Sequence, residues 1–190
     1  MKLTAILLAA ASACAVPSWG ETAHLQFDRE HTKVSYQVNT ALHTVHGSFS
    51  LKNGTIDYDT ATGKASGEIV IDAASGDSGS PSRDGRMNKV VLETAKYTEI
   101  KFSPDHVEGR VAESGESEVK LHGTFLMHGS SREMTLTAKV RRDAQGMLRT
   151  NADFEIPYVA WGLKNPGNFV LKVADKVQVH IEADARLKGQ

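Results

Sequence analysis

One stretch narrows the folding options of this chain more than any other. From Glu118 to Val140, Val119, Leu121, Gly123, Phe125 and Met127, then Met134, Leu136, Ala138 and Val140, alternate with mostly polar residues around a short Gly/Ser turn. Successive side chains of an extended strand point to opposite faces, so this period of two reads as two half-buried strands joined in a hairpin. One face is apolar and the other meets water. Sheets made of such strands must hide one whole side, and they are not the doubly covered strands of a parallel sheet.

The pattern recurs along the chain. A short alternating run, His24–Phe27, precedes eight predicted strands at about 32–39, 45–58, 65–73, 99–111, 118–127, 133–140, 148–158 and 177–187. Lys52-Asn53-Gly54 reads as a bulge inside one long strand, and Pro104 as a bulge or edge position, where a missing amide does least harm. The segment 74–82 is small and polar, and Met87, Val90 and Val91 then recur at helical spacing. This predicts one short α-helix over about 83–95, with Ser82 or Asp84 at its start. Trp161–Phe169 reads as a long loop. Eight strands in meander order with one wet face favour an all-β antiparallel barrel over a two-sheet sandwich, because closure removes unpaired edges.

Residues 1–20 stand apart. Lys2, the apolar run Leu3–Ala11 and a small-residue exit predict a signal peptide cut after Gly20, with Ala13 or Ala15 as alternative sites. Residues 21–190 are then a single exported domain, and the expected address is the periplasm. Acylation of Cys14, the one cysteine, is the alternative; cleavage after Gly20 removes it and leaves neither a disulfide nor a thiol nucleophile. The formal net charge is −1 and the lysines and arginines are scattered, which argues against a nucleic-acid partner.

The inward parity of the strands selects Phe49, Phe102, Phe125, Met127, Met134, Leu136, Phe154 and Ile156 as candidate ligand contacts. Gly47, Gly67, Gly123, Ala138, Ala152, Ala183 and Ala185 share that face and read as places where space is left. An eight-stranded barrel is just wide enough either to be filled by its own side chains or to hold one small ligand, and the pattern fits both. Met127 and Met134 suit a gap-filled core and an adaptable pocket equally. Eight histidines raise a second possibility, a metal- or haem-binding protein or a small enzyme, if His43, His46, His122 and His180 converge. No hydrolase, zinc-protease, phosphate-loop or nucleotide motif is present, so no catalytic or metal-binding residue is assigned. A structural or stress-response interaction module with a filled barrel is the third possibility.

Five segments carry a resemblance. Ile71-Asp72-Ala73-Ala74-Ser75, Ser82-Arg83-Asp84, Lys96-Tyr97 ahead of Ile100-Lys101-Phe102, the hairpin Gly123–Gly129, and Asp175-Lys176-Val177 resemble, in order and spacing, the YceI-like family of exported lipid-binding proteins. The resemblance covers about residues 24–187. It departs from the family pattern at Thr98, at Val91-Leu92-Glu93 and at Glu133. It implies a lipocalin-like eight-stranded barrel with an apolar tunnel for a polyisoprenoid chain, whether a quinone, its precursor or a polyprenyl phosphate. It also implies a binding protein rather than an enzyme, with a bound isoprenoid lipid in place of a cofactor. Arg83 becomes a candidate partner for a polar or anionic head group, and transient membrane contact and a homodimer are further expectations.

Overall fold

The structure is a computed structural model that describes residues 22–169 and 171–188; the predicted signal segment, with Cys14, lies outside the described residues. Ten strands follow one another: β1 (Thr22–Phe27), β2 (Lys33–Asn39), β3 (Thr44–Phe49), β4 (Leu51–Asp59), β5 (Ala65–Asp72), β6 (Glu99–Glu108), β7 (Gly115–Met127), β8 (Ser130–Arg142), β9 (Met147–Ile156) and β10 (Val177–Lys188). Hydrogen bonding runs β1-β4-β5-β6-β7-β8-β9-β10 and returns from β10 to β1. The result is a closed antiparallel barrel of eight wall positions. β10 pairs β2 along its first half, from Gln178↔Gln37 to Glu182↔Lys33, and β1 along its second, from Ala185↔Phe27 to Lys188↔His24. β1 and β2 therefore share one wall position, and so do β3 and β4. The run His24–Phe27 is the lower part of the strand predicted at 32–39, not a ninth member.

The break between β1 and β2 has a local cause. Asp28 Oδ1 accepts from the backbone N–H groups of Glu30 and His31 at 2.9 and 3.3 Å, turning the chain out of the sheet for a few residues. Both expected irregularities are present as register shifts, between Leu51 and Asn53 and between Pro104 and His106. An extra residue on one strand bends it, which a barrel wall requires. The organising hairpin is tighter than its sequence suggests. His128 and Gly129 sit at φ 52° and 74° as a two-residue turn, and Ser130 already belongs to β8. Two successive positive φ values match the twist of the flanking strands, which is why this turn type closes hairpins.

The helix differs from expectation at both ends. α1 spans Pro81–Arg86, and a wider π-helical turn, Met87–Val91, continues it in place of a regular helix to residue 95. Pro81 fixes the start: its φ is already helical and it has no N–H to leave unpaired. Ser80 occupies the capping position without a side-chain bond, and neither Ser82 nor Asp84 caps. Asp84 instead reaches back to the backbone N–H and hydroxyl of Ser78. The helix stops where Leu92 N–H closes on Met87 carbonyl at 2.9 Å and Glu93 turns to φ 48°.

The barrel has two ends. The upper end carries the helix, the β2–β3 and β7–β8 turns and the loop before β10. The lower end carries the β4–β5, β6–β7 and β8–β9 turns. Val91, Leu92, Phe102, Phe125, Met127, Leu136, Ile156, Tyr158 and Leu163 form the upper core cluster. Val119, Ala138, Val140, Leu148, Ala152 and Ala185 form the lower one. Among the described residues, none that is buried is polar or charged.

Candidate ligand site

The eight apolar candidates come together. Phe102, Phe125, Met127, Leu136 and Ile156 are buried in the upper cluster, with Phe49, Met134 and Phe154 packed against it. The helical cover closes this cluster from above through Met87, Val91 and Leu92, and Trp161 and Leu163 close it from the loop after β9. Tyr36 links wall and cover: its ring lies 5.3 Å from Phe49 and its hydroxyl donates to Met87 Sδ at 3.6 Å. Burial pushes the Tyr158 phenol up to about 12, and it donates to the carbonyl oxygen of Ala174 at 2.8 Å, so it stays a neutral donor inside an apolar cluster.

Arg83 stands apart from these residues. It is exposed on α1, with Nε on the Ser78 hydroxyl and Nη2 on the Ser78 carbonyl, both at 2.7 Å. The cover is clasped to the wall elsewhere. His128 Nε2 lies 2.6 Å from Glu93 Oε2, and its ring packs 4.4 Å from that of Tyr97. Glu93 and His128 are the non-glycine residues with positive φ among the described residues, and they contact each other.

Free space lies below the upper cluster. A hollow of about 50 Å³ is lined chiefly by Phe27, Ile56, Val119, Leu121, Ala138 and Ala185. That is a third of the roughly 150 Å³ that takes up a benzene ring in an engineered core. A second depression, about 170 Å³, is polar and lies outside at the β4–β5 turn, sharing Tyr58 and Val107 with the hollow. The upper half carries the larger side chains of the first cluster.

The small residues differ in their surroundings, and Ala152 and Ala183 are buried without bordering the hollow. Ala138 and Ala185 line the hollow, as expected. The glycines do not leave room. A Cβ on Gly47 would stand 2.5 Å from the Tyr36 ring, on Gly67 2.4 Å from the Thr55 carbonyl oxygen, and on Gly123 2.3 Å from the Ser103 carbonyl oxygen. They are glycine because a neighbour already occupies the space.

A residue that sequence reasoning passed over joins the site. Arg132 pairs across the sheet with Phe125 and so shares its inward face. Its guanidinium lies 5.3 Å over the Trp161 ring, its Nη2 donates to the Trp161 carbonyl at 3.1 Å, and Trp161 packs 5.6 Å from Phe125. Its Nε is buried without an acceptor among the described residues. The available signal was parity: Arg132 is in phase with Met134, Leu136 and Ala138.

The histidines do not converge. His43 and His46 are exposed at the β2–β3 turn and on β3, while His180 and His122 lie on the outer wall in β10 and β7. His122 Nδ1 is 2.7 Å from Asp105 Oδ1 and its Nε2 3.5 Å from Glu133 Oε2, the one trio of metal-type ligands grouped among the described residues. It contains a single histidine and faces solvent. His180 repeats the arrangement with Asp153 at 2.7 Å and Glu182 at 3.5 Å. The bond to Asp105 raises the His122 pKa, and that to Asp153 raises His180.

The YceI-like domain matches residues 25–185, almost the whole barrel. The chain belongs to the YceI-like family. Among solved structures, a polyisoprenoid binding domain from Saccharophagus degradans implicated in plant cell wall breakdown superposes with a TM-score of 0.68 at 17% identity, over 86% of this chain and 98% of that one. Burkholderia cenocepacia BcnA superposes with a TM-score of 0.67 at 19% identity, over 83% and 98%. The Campylobacter jejuni YceI protein gives 0.56 at 16% identity over both full lengths. No curated protein matches by sequence. At the departures from the YceI-like pattern, Val91 and Leu92 still close the cluster from above, and Glu93 is the residue that reaches the hairpin.

Proposed function

We propose that this chain holds a lipid with a polyisoprenoid tail inside its barrel, and that it carries or buffers that lipid in the periplasm. The observation that carries the reading is a closed barrel with no buried polar or charged residue among those described. Such an interior rewards an apolar chain by about 0.8 kcal/mol per buried CH₂, and no fully buried polar residue interrupts the path of the tail. Membership of the YceI-like family and the polyisoprenoid-binding relative add to it. The eight apolar residues of the upper cluster are the contacts we assign. Loading requires side chains to give way. Met87, Met127 and Met134 stand where that is least costly, because unbranched thioethers change rotamer readily.

The reading is of a binding protein, with no covalent step assigned. Transient membrane contact fits the upper end, where Leu42 and Phe169 are 82% and 101% exposed. Their loops are joined by the Ala41 N–H to Lys172 carbonyl bond at 2.9 Å.

The test is lipid extraction and mass spectrometry of the protein exported with its own N-terminal segment. A prenyl-chain lipid in near-stoichiometric amount is the expected result. A lipid-free protein that also takes up no prenyl probe would refute the carrier. The second reading, an interaction module with a solid barrel, is favoured by the small size of the hollow, about 50 Å³. It predicts a protein partner on affinity capture and no lipid.

A further inference from the structure

We infer that Arg132 is the head-group site of the bound lipid and that the head group is anionic, a phosphate or a carboxylate. The inference rests on the carrier reading above and adds to it the chemistry of the ligand's polar end.

Arg132 is a cation on the inner face of the wall, with Phe125 and Met134 as its inward neighbours. A guanidinium offers five N–H donors in a planar fork suited to phosphate and carboxylate oxygens. Here Nη2 is used by the Trp161 carbonyl, Nε is buried without an acceptor, and no carboxylate of the described residues pairs with the group. The guanidinium is part-buried, and a charge partly withdrawn from water gains from a counter-charge and further hydrogen bonds, both of which an anion supplies. The Trp161 ring and carbonyl both contact the guanidinium and restrain it, so less side-chain freedom remains to be lost on binding.

The position suits an amphiphile. Arg132 lies at the upper end of β8, beside the cover, and its own strand face continues downward through Met134 and Leu136 to Ala138, which lines the hollow. Six residues of strand span about 20 Å at a rise of about 3.3 Å each. A head group at Arg132 therefore sends its tail through the upper cluster towards the free space. Arg83, on the outside of α1 with its donors on Ser78, has no such path. Arg142 has the same inward parity ten residues down β8, at the far end, and serves as an internal control.

The experiment is isothermal titration of the purified full chain with farnesyl phosphate, farnesol and inorganic phosphate. Wild type is expected to bind farnesyl phosphate about tenfold or more tighter than farnesol, the scale of a charge-assisted hydrogen bond. Inorganic phosphate is expected to bind far more weakly than either. Arg132→Gln should abolish the preference while farnesol binding persists, and Arg132→Lys and Arg142→Gln should keep it. Equal binding of the two farnesyl compounds by wild type, or an undiminished preference in Arg132→Gln, overturns the assignment and leaves the carrier standing. Inorganic phosphate binding as tightly as farnesyl phosphate overturns it in favour of a free-anion site. Failure to bind either farnesyl compound removes the carrier and this inference together. Circular dichroism of each variant establishes folding; if Arg132→Gln is unfolded, the wild-type preference and its survival in Arg132→Lys decide.

Discussion

Ala138 and Gly123 occupy the inner wall of neighbouring strands, and enlarging each should have opposite effects. Ala138 is 3% exposed and borders the hollow of about 50 Å³. At about 24 cal/mol per Å³ of cavity, filling that space is worth about 1.2 kcal/mol at most. Ala138→Val adds two methyl groups' worth of volume in a side chain that suits a strand. It should stabilise the fold by about 1 kcal/mol, which raises the midpoint of a domain this size by about 3 °C. Gly123→Ala adds one carbon where the Ser103 carbonyl oxygen would be 2.3 Å away and Pro104 Cα 2.7 Å away. Both obstacles are backbone in the adjoining strand and cannot swing aside, so the change should cost about 1–3 kcal/mol. Paired urea and thermal denaturation of the two variants measures the contrast. A destabilised Ala138→Val would show that the lower half has no room to spare, and the account of where the barrel has space would be wrong.

The clasp on the cover is tested by His128→Ala, which removes the contact to Glu93 and leaves alanine at φ 52°. A loss of about 1–2 kcal/mol is expected, with faster amide exchange confined to residues 87–97; unchanged exchange there would show that the helix is held by packing alone. Since Asp105 and Asp153 raise the pKa values of His122 and His180, the stability these pairs add is fully present below the unfolded value of 6.5 and is lost as pH rises through the folded values. The double variant Asp105→Asn/Asp153→Asn should flatten the stability profile on that side, and an unaltered slope would exclude the pairs as its source. On the acid side, Lys101 and Lys52 hold Glu99 at about 2 against an ordinary 4.5. Its contribution is present above 4.5 and is lost as pH falls towards 2, so Glu99→Gln should shrink the acid limb of the curve, leaving the part that Asp28 and Asp59, also held low, supply. Finally, Leu42→Asp with Phe169→Asp should slow lipid uptake from vesicles while shifting the unfolding midpoint little, because both side chains are exposed; equal uptake rates would place membrane contact elsewhere.

Strand parity was legible because it is a property of the chain against itself. Phe102, Phe125, Met127, Leu136 and Ile156 are buried where an alternation of period two puts them, with no knowledge of partners needed. The bulges at Lys52-Asn53-Gly54 and Pro104 were legible for the same reason: each is a local backbone restriction. The family followed from segments whose order survives in the linear text. The start of the helix was misread because Ser82 and Asp84 are good caps in isolation. Pro81 set the boundary two residues earlier, and Asp84 found a better partner in Ser78.

What the tertiary structure alone decided is volume and pairing between distant parts. Gly123 and Ala138 look alike as small residues on one face, yet one touches a neighbouring backbone and the other borders open space. That difference is set by the register of β6 against β7, which no residue of β7 encodes by itself. Arg132 gains its meaning only when Trp161, 29 residues later, folds back beneath its guanidinium. Side-chain direction follows from the geometry of a single strand, whereas emptiness and an unmet charge depend on everything that converges on the same point.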